Sequence, residues 1–152
     1  MSWRFILPVA AGVLILGFVL IYKTDSGLPT TGKFAGVTLH LDYATTTASR
    51  ELGLGGRASI PQDYGMLFVF PSPGYYGFWM KDTLVPLDMF WLDAWGRVVY
   101  LKSDVATSSY PAVFYPTTSA LYVLETAAGF AEAHGVVVGT QLLLKKLPTV
   151  SQ

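Results

Sequence analysis

The chain has 152 residues, 52% of them hydrophobic, and its ten basic residues are balanced by ten acidic ones. Such a length suits one compact domain plus an extra apolar segment, and the lack of any basic run or stripe argues against a nucleic-acid partner. Without a cysteine, a lipoprotein anchor and any thiol or disulfide role are excluded.

The apolar excess lies first in the chain. Phe5 to Tyr22 carries no charge and is just long enough to cross a bilayer as a helix, with Arg4 before it and Lys23 after it. A cleaved signal peptide is the competing reading, but FVLIYKTD offers no small-x-small cleavage site, so an uncleaved anchor over residues 5–22 is expected. Residues 1–4 then form a cytoplasmic tail, and the rest of the chain lies on the extracytoplasmic side of the cell membrane as a single-pass protein. Residues 23–32, rich in Thr, Gly, Ser and Pro, read as a tether. The domain proper spans 33–147, about 115 residues, and 148–152 form a tail. Its eight basic and nine acidic residues leave a net charge of −1.

Within the domain, Val37 to Asp42 alternates apolar with polar and predicts a half-buried strand. Thr45 to Leu54 predicts a short helix with Thr46 as its N-cap and Gly53, Gly55 and Gly56 ending it. Met66 to Phe70 reads as a buried strand stopped by Pro71-Ser72-Pro73-Gly74. Tyr76 to Lys81 and Leu87 to Asp93 predict strands flanking a loop, and Arg97 to Leu101 pairs onward through the Asp93-Ala94-Trp95-Gly96 turn. Ser103 to Ser119 reads as a long loop, Leu121 to Thr126 as a strand, Ala127 to His134 as a short helix and Gln141 to Leu147 as the closing strand. The expected architecture is mainly β and mostly antiparallel: a compact sandwich or a curled barrel with two short helices, preceded by the transmembrane helix.

GMLFVF at Gly65 to Phe70, FWMKDTLVPLD at Phe78 to Asp88, the DAWG turn, YVLE at Tyr122 to Glu125 and the Gly139 turn resemble the bacterial and archaeal family known as domain of unknown function 192. The likeness runs from about Val37 to Leu144 and implies a compact β-rich domain, often exported or membrane-tethered, with no established activity. The chain departs from the family's pattern at Asp82, where Asn is usual, at Gly55, where Met is usual, and at Gly139-Thr140, where Gly-Asp is frequent. Many relatives carry cysteines in the segment occupied here by Ser103 to Ser119. Arg50 and Arg57 match the family's helix motif.

For chemistry, alternation places Trp79 and Lys81 on one face of their segment, and Asp88 shares a face with Phe90 and Leu92. If the intervening loop turns the chain back, Lys81 and Asp88 meet, either as a structural ion pair or as part of a pocket for a polar ligand. Arg50 and Arg57 could bring a guanidinium to the same face, where Glu125 could accept it; otherwise both are solvated. Tyr75, Tyr76, Tyr110 and Tyr115 could stack on a sugar or cover the core. His40 on a wet strand face and His134 at a helix end have ordinary roles, and no metal or cofactor is expected. No HExxH, GxSxG or phosphate loop is present. The expectation is a membrane-tethered module binding a small polar ligand or envelope glycan through Trp79, Lys81, Asp88, Arg50, Arg57 and Glu125. The alternatives are an envelope hydrolase using Asp88 and Lys81, and an accessory scaffold for another membrane protein.

Overall fold

The computed structural model describes residues 27–150. The expected transmembrane segment 5–22 and the first four residues of the tether, 23–26, lie outside the described residues. Among the described residues, no helix is long and apolar enough to cross a membrane.

The elements in chain order are β1 (Thr31–Phe34), β2 (Val37–Ala44), α1 (Thr47–Leu52), β3 (Tyr64–Gly74), β4 (Leu87–Leu92), β5 (Val98–Val105), β6 (Ala120–Ala127), α2 (Phe130–Ala133) and β7 (Leu142–Leu143). All seven strands belong to one sheet in the order β5-β4-β6-β3-β2-β1-β7. Of the two expected architectures the sandwich is therefore corrected: a single sheet curls into a half-barrel. Its two edges meet at one end, where Val98 N–H donates to the Thr140 carbonyl and Gly139 N–H to the Val98 carbonyl, both at 2.8 Å. Strand neighbours run antiparallel except β2 and β3, which are parallel because the connection between them crosses over through α1.

Local chemistry explains the early elements. Ala35 and Gly36 both have positive φ, 47° and 85°, which makes the two-residue turn between β1 and β2 match the twist of the paired strands. Residues Thr31 and Gly32 thus belong to a strand, not to the tether. A Cβ at Gly32 would stand 2.5 Å from a Leu144 methyl and 2.9 Å from a Leu41 methyl, so a larger residue there would have to displace both leucine side chains. At the head of α1, the Thr46 hydroxyl accepts from Ser49 N–H at 3.1 Å while the Ser49 hydroxyl accepts from Thr46 N–H at 2.9 Å, a reciprocal cap.

The sheet is covered on both faces. Inside the curl lie Phe34, Leu39, Leu67, Phe90, Leu124 and Phe130. The outer face carries Met66, Phe68, Met89, Trp91 and Val123, packed beneath Phe78 and Met80. All six residues of β4 are buried, the pattern of a central strand with no wet side.

What covers the outer face differs from expectation. The segment Tyr76 to Lys81 is not a strand: only Phe78 bridges, to Phe114, with reciprocal backbone bonds of 2.9 and 2.8 Å. Its alternation nevertheless survives, with Phe78 and Met80 buried and Trp79 and Lys81 exposed, because the segment lies across the sheet as a strap. Ser103 to Ser119 is correspondingly more than a loop. Its first residues complete β5, and Phe114 holds the strap. Pro71 to Gly74 lies within β3, past a register shift after Val69 that accommodates the prolines. The second helix is confined to Phe130–Ala133, since Ala127 completes β6, and the closing strand contains only Leu142 and Leu143.

Candidate functional site

Between α1 and the strap, the outer face of the sheet holds a cavity of about 230 Å³. Its walls are aromatic: Phe68 and Phe70 come from β3, and Tyr76, Phe78 and Trp79 from the strap. Ring contacts brace them, with Phe68 and Phe78 edge to face at 4.8 Å and Phe70 stacked on Tyr76 at 3.5 Å. Tyr76 is fixed in turn by its backbone carbonyl, which accepts from the Trp91 indole N–H at 2.8 Å.

Glu125 of β6 lines the same cavity although it is only 4% exposed. Its cross-strand neighbours are Met66 and Met89, so the flanking strands offer its carboxyl only apolar side chains. Among the described residues, none hydrogen-bonds to the carboxyl or pairs with it as an ion. Burial pushes Glu125 up to about 8. At neutral pH the group is therefore mostly a carboxylic acid, able to donate one hydrogen bond or to ionise when a cation approaches.

Two cations stand nearer the solvent. Arg50 of α1 donates through Nη1 to the carbonyls of Thr45 and Val69, both at 2.9 Å, and its guanidinium lies 5.2 Å from the Phe70 ring centre. Lys81, on the strap, is exposed and lines the cavity together with Trp79, which is 48% exposed. The strap turns at Asp82, whose φ of 55° places it in the left-handed region, and the Asp82 carbonyl accepts from Gly56 N–H at 2.9 Å. This tie joins the strap to the loop after α1. Asn and Asp adopt that backbone more readily than most residues.

The structure thus brings together four of the six expected site residues: Trp79, Lys81, Arg50 and Glu125. It removes Asp88. That carboxylate is fully buried on the opposite face of the sheet, where Oδ1 accepts from Asp104 N–H and Oδ2 from Ala131 N–H, each at 2.7 Å. The expected pairing of Lys81 with Asp88 is corrected: alternation identified each face, but the strap lies over one face and Asp88 points through the other. Arg57 is likewise elsewhere, donating to Asp42 at 3.0 Å and lying over the Tyr64 ring at 5.0 Å. Tyr64 donates to the same Asp42 oxygen at 2.7 Å. Burial and that bond push the Tyr64 hydroxyl upward. His40 faces Asp63 at 3.9 Å, with both side chains exposed. Among the described residues, no group of three or more His, Cys, Asp and Glu side chains could hold a metal ion.

Sequence reasoning missed the aromatic walls Phe68, Phe70 and Phe78 as site residues. Met66 to Phe70 is uniformly apolar, so no alternation marked which face of the strand Phe68 would share; its place beside Glu125 follows from the pairing of Met66 with Glu125.

A strapped, half-closed β-sheet with an aromatic cavity on its outer face defines a small β-rich domain. The chain belongs to the family of domain of unknown function 192, described as an uncharacterized ACR, whose model matches residues 30–144. It is similar to a crystal structure from Sinorhizobium meliloti 1021 described as a suspected transcription regulator, with 30% identity and a TM-score of 0.71, over 77% of this chain and 92% of that one. It is also similar to a protein of unknown function from Novosphingobium aromaticivorans DSM 12444, with 27% identity and a TM-score of 0.67, over 78% of this chain and 88% of that one. No curated protein matches.

Proposed function

We propose that this domain is a binding module for a small polar ligand, taken up in the cavity between α1 and the strap and held near the membrane by residues 5–22. The observation that carries the reading is Glu125, a residue only 4% exposed whose carboxyl opens on the cavity among aromatic walls with no hydrogen-bond or ion-pair partner among the described residues. An uncompensated buried acid costs stability, and such groups concentrate where a ligand supplies the missing partner. The uncharged apolar run of residues 5–22 supports the anchor, which would keep the module close to ligands of the envelope. Hydrolysis is less well supported. No serine, cysteine or histidine stands among the described residues lining the cavity, and Asp88, the expected base, already accepts two backbone bonds.

The test is a titration of the full-length chain with a panel of envelope saccharides, small organic ions and amino-acid-like compounds, followed by Trp79 fluorescence and thermal melting. The expected result is saturable quenching or a raised melting temperature with one class of compound, lost on Trp79→Ala. No response from a folded chain to any class would reject the reading. The anchor has its own check: protease added to spheroplasts should trim the domain and leave a membrane-embedded stub, whereas recovery of full-length protein in the soluble fraction would reject it.

A further inference from the structure

Resting on that reading, we propose that the ligand is a small zwitterion, with a quaternary or alkylated ammonium head seated among Phe68, Phe78 and Trp79 against Glu125, and a carboxylate or phosphate turned outward to Lys81 and Arg50. Three observations select this class. First, the buried residues that line the cavity, Leu54, Phe68, Phe78 and Glu125, offer one polar side chain, that of Glu125. A hydroxyl-rich sugar would bury more donors and acceptors than those residues can satisfy, at about 1 to 3 kcal/mol for each unpaired group. An alkylated ammonium brings few or no donors, favours aromatic surfaces and needs one counter-charge.

Second, the charges are ordered along the cavity. Of its two acids Glu125 is buried and Glu51 exposed, Lys81 is exposed, and Arg50, half-buried, has its Nη1 committed to two carbonyls, leaving its charge beside the walls, so the outer part of the cavity carries two cations against one acid. A ligand with only a positive charge would have to pass these two cations, and one with only a negative charge would have to approach an acid. Once bound, a zwitterion has both charges matched, its head facing the acid and its anion facing the two cations. Third, Glu125 has no competing partner to displace among the described residues. The charged or titratable groups lining the cavity with it are Arg50 and Glu51 from α1 and Tyr76 and Lys81 from the strap; β3 contributes Phe68 and Phe70 to the lining, and β4 places Met89 beside it.

Binding then exchanges a proton for the ligand's head. The Glu125 O–H bond breaks, its proton goes to solvent, and the carboxylate left behind pairs with the ammonium. Affinity for a permanently charged head should therefore rise by up to about tenfold per pH unit up to the Glu125 midpoint, and level off above it.

Calorimetric titration of the full-length chain with glycine betaine, choline, acetate and a neutral disaccharide, at several pH values from 6 to 9, tests this. The expected result is that betaine binds more tightly than choline, with proton release and an affinity that climbs with pH. Glu125→Gln should weaken betaine by about tenfold or more at pH 8 and flatten the pH profile, and Lys81→Ala should erase the preference for betaine over choline. Binding of acetate or the disaccharide with neither ammonium compound bound would overturn the zwitterion while leaving the ligand-binding reading standing. So would ammonium binding indifferent to pH and to Glu125→Gln. Silence from all four probes would overturn the zwitterion, and the broader panel then decides the ligand-binding reading separately.

Discussion

The carboxylate of Asp88, in β4, accepts a 2.7 Å hydrogen bond from the backbone N–H of Ala131, in the first turn of α2, 43 residues along the chain. Helix α2 has only glycine, Gly129, at its N-cap, with no side-chain bond there, so a distant strand supplies the missing acceptor. The second Asp88 oxygen holds Asp104, whose φ of 52° lies in the left-handed region. Asp88 thus joins three segments inside the curl and has no part in the cavity.

Asp88→Ala should accordingly destabilise the domain by about 3 to 5 kcal/mol, by leaving the buried Ala131 N–H and the partly buried Asp104 N–H unpaired and a cavity behind. Lys81→Ala should cost little, and the double variant should equal the sum of the singles within about 0.5 kcal/mol. Urea denaturation of the three variants measures this, and a coupling well above that value would mean that Lys81 and Asp88 do meet.

Glu125 predicts a pH dependence of opposite sense to the usual carboxylate. Its folded midpoint of about 8 lies above the unfolded value near 4.5, so the native state binds more protons than the unfolded state between those limits. Stability from this group is full below about pH 4.5 and falls as pH rises to about 8, with a slope of at most about 1.4 kcal/mol per pH unit. Glu125→Gln should remove this slope and make the ligand-free domain more stable than the parent at pH 8. Denaturation midpoints at matched pH values would show it, and identical pH profiles for the two chains would count against a buried acid.

What the sequence made legible was whatever local chemistry decides. Thr46 reads as a cap because its partner is three residues away, and the alternation of Phe78, Trp79, Met80 and Lys81 gives their exposure correctly although the segment is a strap. Alternation reports which side chains share a face but not what lies on that face, so Asp88 could be assigned to a face without its partners Asp104 and Ala131 being visible. The four-residue β1, half Gly and Lys, carries too little pattern to separate it from a tether. The sequence offers Glu125 as a possible partner for a guanidinium, but its burial depends on the strap and α1 folding over β6, a long-range outcome that no window of sequence contains.

The strap's turn gives a prediction at Asp82. Asp82→Asn should be neutral or slightly stabilising, since Asn tolerates positive φ, whereas Asp82→Val should cost about 1 to 2 kcal/mol and loosen the tie to Gly56. Thermal melting reads the stability, and Trp79 fluorescence reads the strap. Equal melting temperatures for the two variants would show that the turn is not held in that conformation.

Arg57 supplies a control. Its bond to Asp42 lies outside the cavity, and with both side chains more than a third exposed the pair contributes little to stability. Arg57→Ala should leave ligand affinity within about twofold of the parent, and a loss on the scale of Glu125→Gln would place the binding surface at Asp42 and Tyr64 instead.

The central claim is that the aromatic cavity ends in a carboxyl awaiting a partner. Carbon-13 NMR of the labelled Glu125 side-chain carboxyl, titrated with and without saturating glycine betaine, tests it at the atom concerned. The expected midpoint is near 8 in the free protein and drops when betaine is bound. A midpoint near that of an ordinary solvated glutamate, unmoved by the ligand, would contradict it.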